Sequence, residues 1–157
     1  MAAVTRLLAA GAALLLVLGY GPRAAAPPRS GAERGVRQAL VRLNALLAKR
    51  DLAVLDEFMP DEDTLLVGSE VGEVARGRAA LAEHFRKLFA MPQTLSFDWR
   101  EVEVSVHGPI AWLHAEGHAV LHGDAADERR AYRLTGVFEL SHGVWKWRLF
   151  HGSEPHG

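Results

Sequence analysis

"GVFELSHGVWKWRLFHGSEP", residues 136–155, reads as two β-strands folded back on each other around a tight turn. The first strand begins upstream in "RAYRLTGVFEL" (130–140), where Tyr132, Leu134, Phe138 and Leu140 fall on one face. The second is "VWKWRLFH" (144–151), with Trp145, Trp147, Leu149 and His151 expected on one face. Ser141-His142-Gly143 makes the turn. Apolar residues recurring at every second position exclude a helical hairpin, whose period is near 3.6.

Two more strands precede this pair. "AWLHAEGHAVLH" (111–122) sets Ala111, Leu113, Ala115 and Leu121 on one side and Trp112, His114, Glu116 and His118 on the other. "HGDAADE" (122–128) links it to the strand that follows, and "GPI" (108–110) turns the chain from the strand before. That earlier strand, "TLSFDWREVEVSVHG" (94–108), carries a slip of phase. Leu95, Phe97 and Trp99 are odd-numbered, whereas Val102, Val104 and Val106 are even. One strand presents both sets to one side only if a residue is inserted between them, so a β-bulge is predicted near Arg100-Glu101.

Helical periods lie further upstream. In "GVRQALVRLNALLAKR" (35–50) Val36, Leu40, Leu43 and Leu47 form a stripe widened by Ala39 and Leu46, with Arg37, Arg42 and Lys49 opposite. Asp51 is placed to cap a short helix, "LAVLDEFM" (52–59), expected to bury Leu52, Leu55 and Phe58 and to stop before Pro60. "DTLLVGSEVGEVARG" (63–77) reads as a hairpin around Gly68–Gly72, and "RAALAEHFRKLFA" (78–90) as a third helix ended by Pro92. Helices segregated from a run of antiparallel strands predict an α+β fold with the helices on one face of the sheet.

The first residues stand apart. Arg6, an apolar run Leu7–Leu18 and Ala24-Ala25-Ala26 have the layout of a secretory signal peptide over 1–26. The run is shorter than the roughly 20 residues that span a bilayer. Secretion or residence in a periplasm is therefore expected, with membrane attachment only if this segment stays uncleaved. "PPRSGAERG" reads as a flexible linker over 27–35, leaving 36–157 as a single domain. Residues 1–26 hold Arg6 and Arg23 and no acid, so Lys+Arg drops from 18 to 16 against 19 Asp+Glu and the remainder is mildly acidic. No basic patch is left to suggest nucleic acid. The absence of cysteine excludes disulfides and thiol chemistry.

Three stretches together resemble the SnoaL-like branch of the nuclear transport factor 2-like superfamily, which includes ketosteroid isomerase. They are "LNALLAKRDLAVLDEFMPDEDTLLVG" (43–68), "GEVARGRAALAEHFRKLFA" (72–90) and "GVFELSHGVWKWRLFHGSEP". In the last, Gly136, Phe138, Gly143, Trp145, Trp147, His151, Ser153 and Pro155 stand at the matching places. The resemblance implies a cone: a strongly curved antiparallel sheet wrapped around three N-terminal helices, a cystatin-like α+β barrel with a pocket at one end. It also implies a homodimer and no single activity, since one fold hosts many chemistries. Where the family's closing strand often has a second His, this chain has Leu149. No catalytic group of ketosteroid isomerase is carried over.

Within that frame His114, Glu116 and His118 are the candidate catalytic groups. A carboxylate between two imidazoles raises the His pKa and lowers its own, which suits proton transfer near neutrality. The same row also reads as a dimer or partner face, or as a solvated one, and Trp112 within it asks for cover. The three do not form a metal site. At about 3.4 Å per residue the two histidines lie roughly 13 Å apart, too far for bonds of about 2 Å to one ion. Trp112, Tyr132, Trp147 and His151 are the candidate ligand-binding residues, an aromatic lining with one polar tip. The expected function is binding of a small, mainly apolar molecule in the cone pocket, extending to cofactor-free, isomerase-type acid/base catalysis. The alternative is a non-catalytic dimeric module that uses the sheet face.

Overall fold

The computed structural model describes residues 30–155; the segment expected to be a signal peptide lies outside the described residues. Helix α1 (Gly31–Ala48) begins inside the expected linker. The reason is a cap: the Ser30 hydroxyl accepts the Glu33 amide at 3.1 Å. Val36, Ala39, Leu40, Leu43 and Leu47 are its buried stripe. The helix ends with Arg50 in the left-handed region (φ 54°). The Arg50 and Asp51 amides turn back to the Leu47 and Leu46 carbonyls, a Schellman ending built without glycine.

Asp51 caps the next segment as expected, its carboxylate accepting the Ala53 amide at 2.9 Å. The segment is a 3-10 turn, Leu52–Glu57, rather than an α-helix. Its tighter winding moves the buried edge to Val54 and Phe58 and leaves Leu52 exposed, which corrects the expected stripe. Strands β1 (Leu65–Val67) and β2 (Val74–Arg76) form the hairpin, followed by α2 (Gly77–Phe89). Then come the long strands β3 (Thr94–His107), β4 (Ile110–His122), β5 (Glu128–Ser141) and β6 (Val144–Ser153). The sheet order is β2-β1-β6-β5-β4-β3, antiparallel except where β1 runs parallel to β6. His142 and Gly143 both have positive φ in the β5–β6 turn, the pairing a type I′ hairpin demands.

Two bulges decide which side chains meet the helices. In β3 the register passes from Trp99 opposite Gly117 to Glu101 opposite Glu116, so Arg100 is the inserted residue, as predicted. Leu95 and Trp99 on one side of the insertion and Val102, Val104 and Val106 on the other all pack against the core. Asn44 of α1 holds this edge strand by both its amide atoms: Nδ2 donates to the Phe97 carbonyl at 3.0 Å, and Oδ1 accepts the Phe97 amide at 2.6 Å. The second bulge was not legible in the sequence. Val137 faces Leu149 but Phe138 faces Trp147, leaving Arg148 inserted in β6. Arg148 is held there by Asp61 and by Glu139 at 2.6 Å.

The core is aromatic at its centre, where Phe58, Phe138 and Trp147 are almost fully buried. Phe138 and Trp147 have ring centroids 4.2 Å apart, and Phe58 lies 5.7 Å from Phe85. Among the described residues no helix is long and apolar enough to cross a membrane.

Candidate functional site

The helices do not fill the whole helix-side face of the sheet. Toward the end where β5 begins and β6 finishes, a cavity of about 170 Å³ remains between α1, α2 and the sheet. Its interior is apolar: Leu43 and Leu47 from α1, Phe85 and Leu88 from α2, and Phe97, Ala119, Leu121 and Phe150 from the strands. An apolar cavity of about 150 Å³ accommodates benzene, so this one suits a molecule of one-ring size.

Polar groups gather on one side of it. The β1–β2 hairpin brings Ser69, Glu70 and Glu73, α2 brings His84, β5 brings Arg130 and Tyr132, and Glu154 follows β6. Tyr132 is only 7% exposed and lies against Phe97, ring centroids 5.1 Å apart. Burial, and then the nearby carboxylates of Glu73 and Glu154, push its pKa well up, so the phenol keeps its proton at neutral pH. Ser69 lines the same side of the cavity as the Tyr132 hydroxyl. The Ser69 Oγ donates to Glu154 Oε1 at 3.2 Å. Glu154 lies 3.8 Å from Arg130, which is bound at 2.8 Å by Glu128. Glu73 accepts the Glu70 amide at 3.1 Å, which fixes the hairpin tip.

His84 lies against Phe85, edge to face, with centroids 5.5 Å apart. Burial lowers its pKa, Glu73 opposes that shift, and Lys87 reinforces it. The net result is a neutral imidazole at pH 7, able to accept a proton.

Of the candidate catalytic and ligand-binding residues named from sequence, Tyr132 alone lines the cavity. His114, Glu116 and His118 are half-buried on the opposite, outer face of β4, while Ala111, Leu113, Ala115 and Ala119 face the helices. They do assemble with their neighbours. Glu116 accepts from Arg133 at 3.1 Å and lies 3.5 Å from His114 Nε2, and His118 stands opposite Asp98. They do not meet the cavity, so the expected proton-transfer row is separated from it by the thickness of the sheet. Trp112 is on that outer face too, 50% exposed.

Trp147 points inward but into solid core, packed at tilted ring angles among Phe58, Phe138 and Phe150, with its Nε1 buried and unpaired. His151 is turned outward and exposed. The cause is the Arg148 bulge, which reverses the alternation of β6 so that Phe150 replaces His151 on the inner face. Ser69, Glu73, His84, Arg130 and Glu154 escaped the sequence reading. They sit on four separate segments, and only folding gathers them; His84 beside the Leu81/Phe85 stripe reads locally as the flank of a helix. Among the described residues no three His, Asp or Glu converge on a metal site.

The sequence pattern of the SnoaL-like domain family matches residues 36–156. No curated protein matches the chain. Among solved structures, a candidate dehydratase of the nuclear transport factor 2-like family from Streptomyces avermitilis superposes with a TM-score of 0.71 at 18% identity, over 79% of this chain and 96% of that one. A nuclear transport factor 2-like protein with a cystatin-like fold from Novosphingobium aromaticivorans gives 0.64 at 20% identity, over 79% and 82%. A candidate scytalone dehydratase from the same organism gives 0.66 at 14%, over 79% and 87%. At such identities the likeness carries the fold and not an activity.

Proposed function

The chain belongs to the SnoaL-like domain family, and from that premise we propose that it binds a small, mainly apolar molecule in the cavity of its cone. The observation that carries this reading is an apolar cavity of about 170 Å³ with polar groups confined to one side. A ligand enters ring-first against Phe85, Phe97 and Phe150 and leaves its polar group at Tyr132. Methyl-detected NMR titration with one-ring compounds tests it. Shifts concentrated at Leu43, Leu47 and Leu88, and abolished in Ala119→Leu, are expected; binding without those shifts would remove the cavity from the account.

The same cavity supports cofactor-free proton transfer of isomerase or dehydratase type. Neutral His84 is the proton acceptor in this reading, and the dehydratase names of two structural neighbours are consistent with it. Replacing His84 by Gln should then stop turnover of a converted ligand and leave its binding intact.

A second reading rests on Trp112. Half-exposed on the outer face beside His114, Glu116 and His118, it suits a non-catalytic dimeric module that pairs through the sheet. Sedimentation of wild type and Trp112→Glu tests the sheet-face dimer, and titrating the variant with one-ring compounds distinguishes the two, because only the first reading expects cavity binding to survive in it. Export is part of either reading, supported by Arg6, the Leu7–Leu18 run and Ala24–Ala26. N-terminal sequencing of the secreted or periplasmic protein checks it.

A further inference from the structure

We propose that the cavity takes a one-ring apolar amine in its ammonium form, with the cationic head between the carboxylates of Glu73 and Glu154 and one N–H donated to the Tyr132 oxygen. The proposal rests on the cavity being a ligand site and adds the sign of the ligand's charge. Position is its first support. The Tyr132 hydroxyl, the Ser69 Oγ that donates to Glu154 at 3.2 Å, and the carboxylates of Glu73 and Glu154 line the same side of the cavity, and each presents an oxygen lone pair to an N–H donor.

Charge is the second support, and it is independent of the first. The charged side chains that line the cavity are Glu70, Glu73, Glu154 and Arg130. Arg130 is the one cation among them, and Glu128 and Glu154 already engage it. It is therefore poorly placed to receive a carboxylate or phosphate. His84, kept neutral by burial, adds no positive charge. The carboxylates act on the cavity from its polar side: burial first, and then Glu73 and Glu154, raise the Tyr132 pKa. Aromatic walls complete the fit, since a cation beside Phe97 or Tyr132 gains from the ring face.

Isothermal titration of the purified full chain with benzylammonium, benzyl alcohol and benzoate tests the proposal, the three probes sharing one ring and differing in charge. Benzylammonium should bind about fivefold tighter than the alcohol at low salt, as one partly wet ion pair allows, and the difference should shrink at high salt. Benzoate should bind weakest. Glu154→Gln keeps an acceptor for Ser69 and removes the charge, so it should lower amine affinity and leave the alcohol unchanged. Equal binding of amine and alcohol, tighter binding of benzoate, or an amine affinity indifferent to Glu154→Gln overturns the charge assignment while the cavity reading stands. Failure of all three probes to bind overturns both.

Discussion

Gly152 lies directly against the hydroxyl of Tyr132: a Cβ at position 152 would stand 1.7 Å from that oxygen. The two residues are neighbours across β5 and β6, and the missing side chain on one strand is what makes room for the phenol of the other. Gly152→Ala should displace the Tyr132 ring and destabilise the fold by about 1–3 kcal/mol, the usual cost of overpacking. It should also weaken ligand binding. Denaturant unfolding gives the first effect, and titration with a one-ring ligand gives the second. Wild-type affinity in a folded Gly152→Ala protein would separate Tyr132 from the site.

Tyr132 also predicts behaviour at high pH. With residues 1–26 removed it is the only tyrosine, since the other is Tyr20. Its folded pKa is raised by burial and by Glu73 and Glu154, while the unfolded phenol ionises near pH 10. The folded state thus holds the proton more tightly, so its contribution is complete below pH 10 and is lost as pH rises through the folded value. Absorbance of tyrosinate should appear together with unfolding rather than as a separate step near pH 10. Tyr132→Phe should flatten the alkaline fall in stability.

His84 has the opposite sign. Burial lowers its folded pKa below 6.5, so the unfolded state takes up a proton first as the pH falls. Stability should decline from about pH 6.5 down to the folded pKa of His84 and then level off with respect to this group. Thermal melts across that range, compared with His84→Leu, isolate the effect, because the variant should lose this part of the acid sensitivity. A His84 imidazole that titrates near 6.5 by NMR would contradict the assignment.

Asn44 joins helix to bulged strand through two hydrogen bonds to Phe97. Asn44→Ala leaves an amide and a carbonyl of an edge strand without those partners, and a loss of about 1–3 kcal/mol is expected in urea unfolding. Hydrogen exchange should locate the damage, with the Phe97 amide losing protection more than amides at the centre of β5. Uniform loss across the sheet would argue against a local clamp.

The two bulges show where sequence reading succeeds and where it stops. At Arg100 both flanking runs are apolar and out of phase, so the need for an inserted residue is written in the chain itself. At Arg148 nothing flags the insertion: Trp145, Trp147, Leu149 and His151 alternate without interruption, and Phe150 looks like an outward residue. The insertion becomes favourable because Asp61, far away in sequence, and Glu139 on the facing strand converge on the Arg148 guanidinium. That single residue exchanges His151 for Phe150 on the inner face.

By itself, then, the sequence determined the α+β class, the two α-helices and the buried stripe of the first, the hairpin, the four long strands and one bulge. These follow from local periodicity, caps and turn chemistry, which neighbouring residues settle among themselves. Tertiary structure alone decided which face of β4 meets the helices, where β6 reverses, and that Ser69, Glu73, His84, Arg130, Tyr132 and Glu154 share one cavity. Both faces of β4 were legible as patterns, but Ala-Leu and Trp-His-Glu-His each had a claim to the inside. Burial of helix stripes against the small, flat Ala-Leu face resolved the choice, because packing across the sheet is a property of partners that the strand does not contain.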